Sequence, residues 1–128
     1  MVVLLDTHIL LWALGSPQRL PDDMVAQLES PETTVYFSAA SIWEIAIKTA
    51  LRKIDFHYSP EDIAQAARDS SFVELPISAA HSAKVAHLPL HHRDPFDRLL
   101  IAQVLLLPAQ LITANAALAP YSELVRLI

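Results

Sequence analysis

Val2-Val3-Leu4-Leu5-Asp6-Thr7-His8-Ile9-Leu10-Leu11-Trp12 is the stretch whose reading decides the fold. Four consecutive apolar residues have no polar face, which is the pattern of a strand buried on both sides. From Thr7 onward the apolar spacing becomes helical. Strand passes to helix at a single carboxylate, Asp6, and such a junction is the unit of a parallel α/β sheet. Ligands in open α/β sheets bind at the carboxyl ends of the strands. An acid there is poorly suited to the core and well suited to a metal or a proton. Asp6 also reads simply as the N-cap of the first helix, a role that Thr7 could share.

Working outward, the same alternation continues. After a helix of about 7–14, Gly15-Ser16-Pro17 breaks the chain, and Pro21-Asp22-Asp23 opens another helix with acids in its first turn. Thr34–Phe37 is rich in β-branched and aromatic residues and reads as a strand. It leads into Ser38, an N-cap for a helix over about 39–52. Further helices are expected at 60–68, 78–86 and from Asp94-Pro95 to about 107. Strands are expected at 72–75, 111–113 and 124–127, with a short helical turn near 116–119. The expected fold is α/β, with a parallel sheet of about four to five strands wrapped by helices.

Composition narrows the function. With 128 residues the chain fits one domain, 1–128. Its single glycine cannot build the phosphate loops of dinucleotide-binding or P-loop proteins. No cysteine is present, which excludes disulfides, thiolate metal sites and cysteine nucleophiles. The apolar stretch Leu99–Ala114 contains Gln103, Pro108 and Gln110 and is too short to span a bilayer. The first apolar run has no basic flank and is too short for a signal peptide, so a cytoplasmic protein is expected. A net charge of −5 argues against a passive nucleic-acid binder, but not against an enzyme whose acids gather divalent cations. Hydrophobic residues make up 53% and charged residues 18%, an oily balance that points to surface covered by a second copy or a partner.

Two later stretches supply further acids. Glu44 lies in Ser38-Ala39-Ala40-Ser41-Ile42-Trp43-Glu44-Ile45-Ala46-Ile47-Lys48. It fits a capping box with Ser41, or an i,i+4 ion pair with Lys48. If Ser38 is the true cap, Glu44 lies two turns into the helix among apolar neighbours, an awkward place for a surface charge. In His92-Arg93-Asp94-Pro95-Phe96-Asp97-Arg98, Asp94 reads as an N-cap, Pro95 as the first helical residue and Asp97 as an acid in the first turn. Two carboxylates three apart share a helix face and repel unless a cation lies between them. Asp94 is assigned mainly to capping and Asp97 mainly to a site. Of the six histidines, His81, His87, His91 and His92 lie closest in sequence, but none has the His-Glu-x-x-His spacing of a zinc site.

Together, Leu4–Trp12, Ser38–Lys48 and His92–Gln103 resemble the PIN-domain ribonucleases, specifically the VapC toxins of bacterial and archaeal toxin–antitoxin pairs. The resemblance spans essentially the whole chain. It implies a three-layer α/β/α fold and a catalytic and metal-binding set of Asp6, Glu44 and Asp97 holding Mg²⁺ or Mn²⁺. Thr7 matches a hydroxyl residue lining that pocket, and His92 and Asp94 would support it from behind. The implied activity is RNA hydrolysis leaving a 5′-phosphate and a 3′-hydroxyl, restrained by a small cognate antitoxin. A homodimer is also expected. Arg93 and Arg98 are candidates for contacting phosphate, or alternatively for pairing with nearby acids. One departure is Asn115, where the family often has a fourth acid. With a neutral amide there, one metal should be held adequately and a second weakly. The alternative function is a PIN-fold protein that binds a partner and is catalytically weak or silent. A DNA or flap nuclease is less well supported, because basic arches for such substrates are missing.

Overall fold

The chain builds a five-stranded, all-parallel sheet in the order β3-β2-β1-β4-β5. The computed structural model describes residues 1–51 and 58–128. The strands are β1 (Val2–Leu5), β2 (Thr34–Ser38), β3 (Val73–Leu75), β4 (Gln110–Thr113) and β5 (Val125–Leu127). The helices are α1 (Thr7–Gly15), α2 (Asp22–Glu29), α3 (Ala39–Ala50), α4 (Pro60–Asp69), α5 (Ala79–Lys84) and α6 (Pro95–Leu106).

Side chains alternate across a strand, so β1 feeds two cores. Val3 and Leu5 join Ile9, Leu10, Met24, Phe37, Ala67 and Ile112 on one face. Leu4 joins Leu100, Ile101, Val104, Leu111 and Leu118 on the other. Helices thus cover both faces, as the expected three-layer arrangement requires. Each fully buried Leu, Ile or Val contributes roughly 1.5–3 kcal/mol. That explains why β1 carries no polar residue before Asp6.

Element ends moved by a residue or two. β3 begins at Val73, β4 at Gln110 and β5 at Val125. Beyond Lys84 the helix tightens into a 3₁₀ turn, Val85–His87, and the turn expected at 116–119 runs Ala116–Tyr121. The described part of α3 ends at Ala50 with Leu51 as its cap; the expected last residue of that helix, position 52, lies outside the described residues. Among the described residues, no helix is long and apolar enough to cross a membrane.

The strand order places the functional end of the sheet. From β1 the chain steps outward through β2 to β3, then returns to the other side of β1 as β4. The carboxyl ends of β1 and β4 therefore flank a topological switch point, where the crossovers diverge and leave a crevice.

Candidate active site

Asp6 closes β1 and starts α1. Its backbone N–H donates to the Ile112 carbonyl at 3.1 Å, which extends the sheet by one residue. Its Oδ1 accepts from Ile9 N at 2.9 Å, a true N-cap, and its Oδ2 accepts from the Thr113 hydroxyl at 2.5 Å. The residue is only 5% exposed. Burial pushes its pKa up, the Thr113 and Ile9 hydrogen bonds and His8 pull it down, and Glu44 pushes it up again. Capping and site residence coincide in one carboxylate.

Ser38 is the cap of α3, its Oγ accepting from Ala40 N at 3.0 Å, so Ser41 and Glu44 do not form a capping box. Glu44 lies well inside the helix and is buried. Thr7 Oγ1 donates to its Oε1 at 2.6 Å, and Lys48 Nζ donates to its Oε2 at 2.6 Å. The Thr7 hydroxyl also lies 3.0 Å from Ser41 Oγ. A hydroxyl has one proton, so with Thr7's given to Glu44, Ser41 is the donor in that contact. The i,i+4 pair with Lys48 is present, and it faces the crevice rather than open solvent. Ser38 Oγ donates to Gln103 Oε1 at 2.6 Å, which locks the start of α3 to α6.

Asp94 caps α6, its Oδ1 accepting from Phe96 N at 2.8 Å and Asp97 N at 3.2 Å. Asp97 rises from the first turn, and His92 Nε2 lies 2.9 Å from its Oδ2. Burial first, then the charges of Asp94, Asp6 and Glu44, push the Asp97 pKa up to about 6, against a pull downward from His92. The four acids thus feel one another across a shared space. That space is a cleft of about 390 Å³ lined by Asp6, Thr7, Glu44, Lys48, His92, Asp94, Asp97 and Asn115, with His8, Trp12 and Ala114. A larger cleft of about 710 Å³ opens by the amino ends of β2 and β3, and among the described residues Glu29 is the one ionisable side chain lining it.

The donor chemistry fits a divalent cation. His92, Asp94 and Asp97 offer ligand atoms all within 4.8 Å of one another. Carboxylate oxygens suit hard cations, and an added imidazole is tolerated by Mn²⁺. Acids held above their usual pKa by burial and mutual repulsion are stabilised as carboxylates by a bound cation.

The remaining expectations divide. Asn115 lines the cleft without charge, its Oδ1 accepting from Ala117 N at 3.0 Å to cap the following 3₁₀ turn. Arg93 is exposed on the loop before α6. Arg98 turns away from the cleft. Its guanidinium donates to the carbonyls of Val85 at 3.1 Å and Pro89 at 3.0 Å and to Tyr121 Oη at 3.1 Å. It therefore braces the loop, and among the described residues it forms no ion pair with an acid. His91 stacks edge-on against Tyr121 and His81 completes the α5 capping box with Ser78, and among the described residues these histidines form no metal-capable group with one another. Sequence reading missed Thr113. Its one signal was position: a hydroxyl residue ending a strand beside the strand that carries Asp6.

A sequence model described as PIN domain matches residues 3–124. Among curated proteins no sequence match is found. Solved structures share the fold, two of them as follows. VapBC2 from Rickettsia felis, bound to a DNA fragment from its promoter, aligns at TM-score 0.69 and 17% identity over 100% of this chain and 98% of that one. FitAcB from Neisseria gonorrhoeae aligns at TM-score 0.54 and 19% identity over 91% and 89%.

Proposed function

The chain belongs to the PIN-domain family, and from this we propose that residues 1–128 form one metal-dependent endoribonuclease domain, the toxin of a toxin–antitoxin pair. The observation that carries the reading is the convergence of Asp6, Glu44 and Asp97, from three separate segments, on one cleft at the switch point of the sheet. Asp6 and Asp97 are the proposed ligands of Mg²⁺ or Mn²⁺, with Glu44 bordering the ion and His92 and Asp94 bracing Asp97. Bound there, the ion would supply charge to a phosphoryl oxygen and acidity to a water.

The chain's own groups do the rest. Thr7 and Lys48 hold Glu44 in place, so it can orient the attacking water and take its proton. The water oxygen bonds to phosphorus in line as the P–O3′ bond breaks. The proton passes through Glu44 and solvent to the departing 3′ oxygen, giving a 5′-phosphate and a 3′-hydroxyl.

The proposed partners are an RNA substrate, a small cognate antitoxin and a second copy of the chain, in the cytoplasm. The exposed apolar side chains Trp43, Leu51 and Leu90 support some covering partner. A silent binding protein is the second reading, favoured by the neutral Asn115.

The test incubates antitoxin-free protein with RNA and Mn²⁺ and maps the new 5′ ends, with Asp6→Ala and Asp97→Ala in parallel. Discrete, metal-dependent cuts that vanish in both folded variants are expected. Wild-type protein that binds Mn²⁺ yet cuts nothing would give the silent reading the place of this one.

A further inference from the structure

We propose that Lys48 is a fixed internal cation of the cleft, occupying Glu44 and so holding the site to one metal per chain. The inference rests on the metal-dependent reading above and adds a positioning residue to it.

Among the described residues, Glu44 is the only one of the site's acids whose two oxygens are both engaged by side chains, Oε1 by Thr7 and Oε2 by the Lys48 ammonium, each at 2.6 Å. An exposed i,i+4 pair is a weak contact, worth a few tenths of a kcal/mol. Here the carboxylate partner is only 5% exposed and the pair faces the cleft, so the ammonium neutralises a charge that solvent cannot.

The other wall is built differently. The grouped ligand atoms there belong to His92, Asp94 and Asp97, and Glu44 is not among them. Asp97, one of the two proposed ligands, belongs to that group, and Glu44, outside it, already holds an ammonium. Asn115 adds no charge that would attract a second ion. A divalent ion approaching Glu44 would have to displace an ammonium at hydrogen-bond distance, or be repelled by it.

Removing the charge should reopen Glu44. The experiment counts Mn²⁺ bound per chain on the full, RNA-free protein, by calorimetric titration and by electron paramagnetic resonance of the free ion. Wild type and Lys48→Arg should each bind one Mn²⁺. Lys48→Met, which keeps the stem and loses the charge, should bind two. Lys48→Gln serves for the same count should the methionine substitution prevent folding. Two ions in wild type, or one in a folded uncharged variant, would overturn the role of Lys48. A wild type that binds no Mn²⁺ and cuts no RNA would instead defeat the metal-dependent reading beneath it.

Discussion

Replacing Asp97 by asparagine should make the metal-free protein more stable. The carboxyl has its pKa held at about 6 instead of 3.8, mainly by burial and then by Asp94, Asp6 and Glu44. At 1.36 kcal/mol per pH unit, keeping it ionised costs the folded chain at most about 3 kcal/mol. Two corrections reduce the gain from neutralising it. The side chain is 20% exposed, so solvent screens part of the repulsion. An acid in the first turn of α6 also interacts favourably with the helix dipole, by roughly 0.3–1 kcal/mol. The expected net gain is about 1–2 kcal/mol, or about 3–6 °C in Tm.

The pH dependence has a definite sign. Between 3.8 and about 6 the folded state holds the Asp97 proton while the unfolded state has released it, so wild-type stability falls as pH rises through that window. The side-chain amide of the Asp97→Asn variant has no proton to lose. The two proteins should converge below the window and diverge fully above it. Urea unfolding with a chelator, repeated across this range, gives the comparison. Saturating Mn²⁺ should then reverse the order, since a ligand at a hundredfold its Kd adds about 2.7 kcal/mol to whichever protein binds it. An Asp97→Asn variant no more stable than wild type without metal above the window would refute the account of Asp97 as a strained, repelled acid.

Thr113→Val keeps the shape of a fully buried side chain and deletes the donor to Asp6 Oδ2. It should cost roughly 1.5–3 kcal/mol, the range for a hydrogen bond to a charged group, and a change within experimental error by urea unfolding would count against it. Arg98→Met should lower stability by about 1–3 kcal/mol and speed amide exchange at His91 and His92, whose N–H groups donate to the Tyr121 oxygen that Arg98 also binds. Unchanged exchange with weakened RNA binding would instead favour Arg98 as a phosphate contact.

What the sequence made legible was local. Asp6, Ser38 and Asp94 could each be read as caps because a capping side chain bonds a backbone N–H two or three residues away, within reach of spacing rules. The strand-to-helix change at Asp6 was legible because the apolar period itself changes there. Thr113 was not, because its partner lies 107 residues away and nothing short of the strand order brings β4 beside β1. The bracing bonds of Arg98 were hidden for a related reason. Its acceptors are carbonyls of an irregular loop, and every residue type offers the same carbonyl. Lys48 was seen as half of an ion pair, but spacing along one helix could not tell which way that helix faces.

The bond between Asp6 and Thr113 has a consequence in time. Ribosomes add about 5–20 residues per second, so the roughly hundred residues between them take on the order of 5–20 s to make. Throughout that interval β1 lacks a neighbour on its β4 side, and Asp6 lacks both the hydroxyl and the sheet bond that aim it. Asp97 likewise comes late in the order of synthesis. A nascent chain therefore carries an incomplete set of acids until Asp97 has emerged. The fold withholds its chemistry from the machinery making it, a useful delay for a protein whose proposed substrate is RNA.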